Sequence, residues 1–406
     1  MRRTACRLCQ GPLQLALPLI PTPIADAYVK PGAPGPDKVY PLELAVCARC
    51  GHVQLTETVD PKELFSQYTF TTASSLGLVQ HFRGQVDALI KRAAPKPGAL
   101  IVDVGSNDGS LLKLWGEKGF MTLGVDPAPA IAMKANAEGI ETVVGFFTSV
   151  LARSLASSKG RAAIVTANNV FAHSDHLADM ADGVRELLAD DGVFCFEVSY
   201  LADIVDKMLF DTIYHEHLSY HAVAPLRSFF AQHGLHLFDV ERIAAKGGSL
   251  RGFVQRAGGP KKESPAVETL CREEATRGLG TVAALKAFGK RIDKALDAAR
   301  ALVRADANER WAGYGASATV TTLLYQLGVG DRLRCLYDDN PLKHGQESPG
   351  LRLPIFPSEK LREDKPDAVL ILAWQYAQPI AKRQEAWLSS GGRLLVPLPE
   401  PRWLPA

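Results

Sequence analysis

The chain has 406 residues, 47% apolar and 22% charged, with a formal net charge of +2. That length exceeds one ordinary core and points to two or three domains, while so small a charge sets up no field that would gather nucleic acid or an anionic membrane. The longest early apolar stretch, LQLALPLIPTPI, is short and broken by prolines, so it neither spans a bilayer nor reads as a secretory signal, and a cytoplasmic protein is expected.

Taken in chain order, the first feature is a set of cysteines. Four of the seven stand as CRLC (Cys6, Cys9) and CARC (Cys47, Cys50), whereas Cys195, Cys271 and Cys335 stand alone. A redox site needs only one such pair; two pairs in a reducing compartment point to tetrahedral zinc rather than to disulfides. A full four-thiolate set leaves no open position, so the ion is expected to be structural. Gly11 and Gly51 follow the pairs and are expected to supply the positive φ of each knuckle. The gap between the pairs is long for a ribbon, so a loop such as KPGAPGPDK is expected to bulge out.

After VDPKELFSQYTFTTASSLGLVQHF comes a helix to about Lys91, then ALIVDVGSNDGSLLKLWGEKGF, which reads as a buried strand, a glycine turn and an amphipathic helix. MTLGVDP, AAIVTANNV and GVFCFEVSY are further strands with helical stretches between them, the pattern of a doubly wound parallel sheet. LHLFDVERI and GSLRGFVQRAG predict an antiparallel pair closing that sheet. Pro260 to about Arg310 reads as a helical connector. RWAGYGASATVTTLL, LRCLYDD, DAVLILAW and GGRLLVPLP then restart the α/β pattern as a second, smaller Rossmann-like domain.

Three motifs carry chemistry. In DVGSNDG, Asp103, Gly105 and Gly109 mark a strand-to-helix turn where backbone N–H groups approach a ligand, with Asn107 at the second-glycine position of the dinucleotide motif. Asp126 ends the next strand, where a carboxylate accepts hydrogen bonds from ribose hydroxyls; the turn resembles that of class I S-adenosylmethionine-dependent methyltransferases. GYGASA (Gly313, Gly315, Ala318) fits G-x-G-x-x-A and, with Asp338 and Asp339, reads literally as an NAD turn. Nothing else in the chain asks for a hydride, so a packing role in a domain adapted to substrate is expected. LFDTIYHEHLSYH concentrates His215, His217 and His221 with Glu216 and Tyr214, but it is not H-E-x-x-H and offers no evident third metal ligand. A solvated loop is the alternative. With His173 on the same rim, acid/base chemistry is expected, from a histidine held by a neighbouring carboxylate and a tyrosine.

The ordered set of CRLC and CARC, LFSQYTFTTASS, DVGSNDGSLL, NNVFAHSDH, YHEHLSYH, KGGSLR, YGASA, YDDNPLKHGQ and AWQYA resembles, over essentially the whole chain, the sugar C-methyltransferases that make 3-C-methyl branched deoxysugars on nucleotide carriers. The resemblance implies a zinc-binding domain (1–72), a class I Rossmann-like α/β methyltransferase core (73–258), and a connector with a C-terminal Rossmann-like domain (259–406). The implied cofactors are S-adenosylmethionine and structural zinc, and the implied partner is a nucleotide sugar carried on dTDP. By the same similarity His217 is the general base, with Tyr214, Glu216 and His173 around it. Asp103, Gly105, Asn107, Asp108, Gly109, Asp126, Pro127 and Asn168 hold the cofactor. Tyr68, Ser74, Ser75, Asn169, Lys246, Ser249 and Arg251 face the substrate, the two cations of KGGSLR meeting its diphosphate. Threonines in FTTASS and Gln375 in AWQYA, where serine and asparagine are frequent, bear on the sugar rather than the reaction. An O- or N-methyltransferase of small metabolites is the alternative, and the oligomeric state is left open.

Overall fold

Short runs of Val, Ile and Leu followed by glycine turns become buried parallel strands. In the computed structural model, which describes residues 1–35, 37–65, 72 and 77–404, the middle sheet runs Leu235–Ile243, Ser249–Arg256, Leu188–Ser199, Ala162–Asn168, Leu100–Val104, Met121–Asp126 and Thr142–Val144. The last five strands are parallel, and Ser249–Arg256 lies antiparallel to both its neighbours, as expected from the sequence. Chain order reverses between Leu100–Val104 and Ala162–Asn168, which opens a ligand crevice at the carboxyl ends of the strands.

The N-terminal sheet pairs Leu13–Pro23, Val39–Cys47, Val53–Leu55 and Ser219–Tyr220. The gap between the cysteine pairs is therefore a β-hairpin, and near its tip Asp37 pairs with Arg352 of the C-terminal domain at 2.7 Å. The fourth strand comes from the histidine-rich stretch, far along the chain, so this sheet crosses the boundary read at residue 72.

The C-terminal sheet runs Ile355–Pro357, Leu333–Asp338, Trp311–Tyr314, Ala368–Ile371, Arg393–Val396 and Arg402–Leu404, parallel except for the last strand. The connector forms the helices Pro265–Thr276 and Val282–Arg304. Thr281 caps the second by accepting from the Ala284 amide at 3.2 Å, and Leu285, Phe288, Ile292, Leu296 and Val303 recur at helical spacing on its buried face. That face shares one core with Leu42 and Leu44 of the N-terminal sheet and Leu323 of the C-terminal domain, and the same core takes in Phe210, Ile213 and Leu218. Burial of each of these three contributes about 1.5–3 kcal/mol, so apolar residues interleaved with the histidines anchor the polar stretch. Among the described residues no helix is long and apolar enough to cross a membrane.

Two polar contacts dock the C-terminal domain on this stretch. Trp374 Nε1 donates to Asp211 at 2.8 Å, and the Thr322 hydroxyl donates to the Ile213 carbonyl at 2.7 Å. Asp211 is 1% exposed, and burial pushes its carboxyl up to about 7, against the Trp374 hydrogen bond. A carboxyl raised in this way favours the folded state fully below its ordinary pKa and loses that advantage as pH rises through about 7. Asp211→Asn cannot ionise; relative to the parent it is expected to gain stability on the order of 2 kcal/mol as pH goes from about 5 to about 8, read by urea unfolding at both values.

Candidate active site

The glycine turn follows the strand Leu100–Val104. Gly105 (φ 70), Asn107 (φ 52) and Gly109 (φ 75) are all left-handed. A Cβ on Gly105 would lie 2.3 Å from Val170 Cγ2, so both the backbone and the available room require glycine. Asp126 accepts from the amides of Asn107 and Ala128, each at 2.8 Å, which locks its carboxylate and leaves a lone pair on each oxygen. Burial raises its pKa and the two amides oppose the rise. Asp103 lies buried beneath, accepts from the Thr166 hydroxyl at 2.6 Å, and is pushed up to about 7 by burial. Asp108 accepts from the Ser110 amide (3.1 Å) and hydroxyl (2.6 Å) at the start of the helix Ser110–Glu117. Pro127 is half-buried on the rim. Asn168 forms a reciprocal amide pair with Gln85 (2.7 and 3.2 Å), and Asn169 (φ 56) donates its amide to the Glu197 carbonyl. This cradle fits S-adenosylmethionine: a carboxylate for the ribose, close backbone at the turn, and no diphosphate to hold.

Across the crevice, His217 Nδ1 lies 2.7 Å from the Thr212 carbonyl. A carbonyl only accepts, so Nδ1 carries the proton and Nε2 keeps a lone pair. The Tyr214 hydroxyl, 3.0 Å away, donates to that lone pair. The His173 ring stands 5.0 Å from the His217 ring, and its Nε2 is buried with no hydrogen-bond partner among the described residues. Burial pushes His217 down to about 4, with the Thr212 carbonyl opposing and Lys246 adding to the fall, so the imidazole is neutral at physiological pH. The carboxylate expected to hold this histidine is replaced by a backbone carbonyl. Glu216 instead lies within electrostatic reach of Asp26 and Lys246, and burial, with Asp26 adding, raises it to about 8.

The other two histidines of the stretch do different work. His215 Nε2 meets the Pro41 carbonyl at 3.2 Å, while His221 is fully buried against the rings of His52 and Phe171. Among the described residues the only group of His, Cys, Asp and Glu side chains that could hold a metal is the four cysteines. The three histidines are thus separated: His215 and His221 are packed against backbone and rings, while His217 holds Tyr214 on its Nε2.

In KGGSLR, Lys246 sits in a left-handed turn (φ 50) in the field of Glu197 and Glu216, and burial lowers its pKa. Ser249 donates to the Ala245 carbonyl at 3.0 Å. Gln375 presses on this turn, since a Cβ on Gly247 would lie 2.6 Å from its Oε1. Arg251 differs from the expectation of a cation facing a diphosphate. It lies on the strand Ser249–Arg256, 6% exposed, with its guanidinium on Glu197 (2.6 Å) and Glu241 (3.3 Å). Glu197 also meets Gln85 and His81 at 2.9 and 2.7 Å. Tyr68, Ser74 and Ser75 lie outside the described residues.

Sequence reasoning gave no role to a cluster of Asp26 and Tyr28 of the N-terminal hairpin with Lys343, in which Asp26 lies within electrostatic reach of Glu216. The Tyr28 hydroxyl bonds Asp26 at 2.6 Å and also the Ala316 carbonyl, to which Lys343 donates at 2.8 Å. No local motif marks Asp26 and Tyr28, and Lys343 lies within YDDNPLKHGQ without a role read from it. At the second glycine turn Asp338 accepts from the amides of Ala316 (2.7 Å) and Asn340 (2.8 Å), repeating the double clamp made by Asp126. Here the chain's own Tyr28 and Lys343 lie on the turn.

The cysteines converge from two knuckles. Cys6 and Cys50 sulfurs are 3.7 Å apart, Cys9 and Cys47 3.4 Å, and all four ligand atoms lie within 4.8 Å of one another. A tetrahedron with Zn–S bonds of about 2.3 Å has edges of about 3.8 Å, so the set fits zinc. Gly51 takes the expected positive φ of 73, but in the first knuckle Gln10 (φ 57) does so. Gly11 is small for another reason: a Cβ there would stand 2.9 Å from the Cys47 sulfur.

A glycine turn with a clamped acidic residue, joined to a four-thiolate module, defines an S-adenosylmethionine-dependent methyltransferase with a zinc-binding domain. Three family descriptions match: "Putative zinc binding domain" over residues 6–65, "Methyltransferase domain" over 79–240, and "C-methyltransferase C-terminal domain" over 244–399. The C-methyltransferase NovU of Streptomyces niveus is 36% identical over 376 residues, covering 92% of this chain and 89% of that protein. This chain therefore belongs to the C-methyltransferase family that includes NovU. Among solved structures, the CcbJ methyltransferase of Streptomyces caelestis (14% identity, TM-score 0.36) covers 48% of this chain and 95% of its own. A methyltransferase of Anabaena variabilis (13%, TM-score 0.38) covers 48% and 91%.

Gly105→Ala is expected to weaken S-adenosylhomocysteine binding by about tenfold or more in titration calorimetry, since the new methyl forces the turn open. Metal analysis should find one zinc per chain, lost together with N-terminal stability in Cys9→Ser.

Proposed function

We propose that the chain methylates C3 of a nucleotide-linked 4-keto-deoxysugar, carried on dTDP, in the biosynthesis of a branched sugar. The observation that carries this reading is the neutral His217, proton on Nδ1, with its Nε2 lone pair turned toward Tyr214 and His173. Carbon, unlike a hydroxyl or an amine, has no lone pair with which to attack a methyl group, so C-methylation requires a base that first removes the C–H proton. His217 takes the proton from C3; the C–H electrons form the enolate, whose charge rests on the ketone oxygen. Tyr214 rotates its hydroxyl from the imidazole to that oxygen, and His173 Nε2, carrying a proton, donates beside it. The glycine turn and Asp126 would hold S-adenosylmethionine, which would supply an electrophilic methyl group to C3 and leave as the neutral thioether. His217 then releases its proton to water in the cleft.

Lys246 faces the diphosphate, Ser249 shapes its turn, and Arg251 anchors Glu197 behind them. Asn169, Asp26, Tyr28 and Lys343 line the cleft around the sugar nucleotide, with Tyr68, Ser74 and Ser75 completing the substrate contacts. The protein's contribution is alignment and exclusion of water around a base of low pKa.

His217→Asn is expected to cut methyl transfer to a dTDP-4-keto-6-deoxysugar by about a thousandfold or more, within the range for loss of a general base. Deuterium uptake at C3 from heavy water should disappear with it, while S-adenosylhomocysteine affinity stays within about twofold. Because burial holds the imidazole at about 4, the acid limb of kcat should fall near there rather than near the ordinary histidine value. Retained turnover in His217→Asn, or a product methylated on oxygen or nitrogen, contradicts the proposal.

A further inference from the structure

The first zinc knuckle carries an arginine between its two thiols. The Arg7 side chain is 0% exposed although it is charged. Its Nε donates to Asp175 at 2.8 Å, Nη1 to the carbonyls of Leu55 (2.7 Å) and Leu218 (3.3 Å), and Nη2 to the Thr58 hydroxyl at 2.8 Å. Arg3 also holds Asp175, at 2.7 Å. Asp175 lies two residues beyond His173, and Leu218 is the residue after His217. One planar fork thus grips both segments that bring imidazoles to the cleft. Those segments meet directly as well, the Ser219 amide donating to the Ala172 carbonyl at 3.1 Å, and the Leu55 amide shares the Leu218 carbonyl at 3.0 Å.

We propose that Arg7 is a positioning residue. It sets the separation of His173 and His217 and ties the placement of the base to the folded cysteine knuckle. The arrangement needs a guanidinium, because rigid donors in one plane reach three directions at once, whereas a lysine ammonium at the end of a flexible stem cannot hold all four partners. A part confined to the N-terminal sheet would not need to reach Asp175, which lies beyond that sheet on the His173 segment. The proposal rests on the reading of His217 as the base, and its test separates the two.

The full chain carrying Arg7→Lys, and independently Asp175→Asn, is labelled with 15N-histidine, the His217 signals being assigned by their absence in His217→Asn. Zinc content, S-adenosylhomocysteine affinity, and kcat and KM with a dTDP-4-keto-6-deoxysugar are measured alongside. Expected for Arg7→Lys are one zinc per chain and cofactor affinity within about twofold. The His217 titration should move up from about 4 toward the ordinary histidine value as the ring gains water. A misplaced base should lower kcat about a hundredfold with KM nearly unchanged. Asp175→Asn should reproduce the fall in kcat through the His173 segment. Unchanged His217 signals and kcat in zinc-loaded Arg7→Lys overturn the proposal, as does a joint loss of zinc, cofactor affinity and kcat in both variants. Moved His217 signals with full kcat uphold the positioning role and overturn the base.

Discussion

The hydrogen bond from His217 Nδ1 to the Thr212 carbonyl fixes the tautomer on which the proposed chemistry depends. With the proton fixed on Nδ1, the second nitrogen faces Tyr214 with its lone pair, as the proposed base requires, and burial keeps it unprotonated down to about pH 4. A carboxylate in place of the carbonyl would favour the imidazolium and raise the pKa. The backbone carbonyl orients the ring without adding a full charge, and this suits a base that must be neutral before it acts.

That bond depends on a backbone held from several sides. Phe210, Ile213 and Leu218 sink into a core shared by the N-terminal sheet, the helix Val282–Arg304 and the C-terminal domain. Ser219 and Tyr220 pair with Val53 and Gln54 as an edge strand, while Trp374 and Thr322 reach across from the C-terminal domain. A second core joins Cys6 and Cys47 to Phe196 of the methyltransferase sheet and Phe230 of the helix Val223–Gln232. The zinc module is therefore integrated with the catalytic cleft rather than appended to it. Close packing transmits small displacements in such an arrangement, because tightly filled interiors have few voids to absorb them.

Ionisable groups in the cleft depart from their ordinary behaviour for one dominant reason, which is desolvation. It raises Asp103 and Glu216 and lowers His217 and Lys246. Arg251 and Glu197 escape an isolated charge by pairing, and Asp126 by accepting two amides. The two glycine turns show how similar backbone chemistry serves different ends. Asp126 and Asp338 are clamped alike, and the second turn also carries the chain's own Tyr28 and Lys343.

The sequence by itself determined the elements and the local chemistry. Periodicity, glycine turns and cysteine spacing are properties of neighbouring residues, so the doubly wound core, its antiparallel closure, the second Rossmann-like domain and the four-thiolate set were all legible there. It also placed His217, Tyr214 and His173 together as candidates, because titratable groups at the carboxyl ends of strands have few structural uses. Only the tertiary structure decided the rest. It showed which of three histidines keeps a tyrosine on its second nitrogen, that Thr212 rather than Glu216 holds that ring, and that Arg251 is consumed by Glu197. It brought Arg7 onto Asp175 and Leu218, and Asp26, Tyr28 and Lys343 together beside the second glycine turn. Those outcomes depend on contacts between residues tens to hundreds of positions apart, and a side chain's partner, burial and charge state are set by such contacts, not by the residues beside it in the chain.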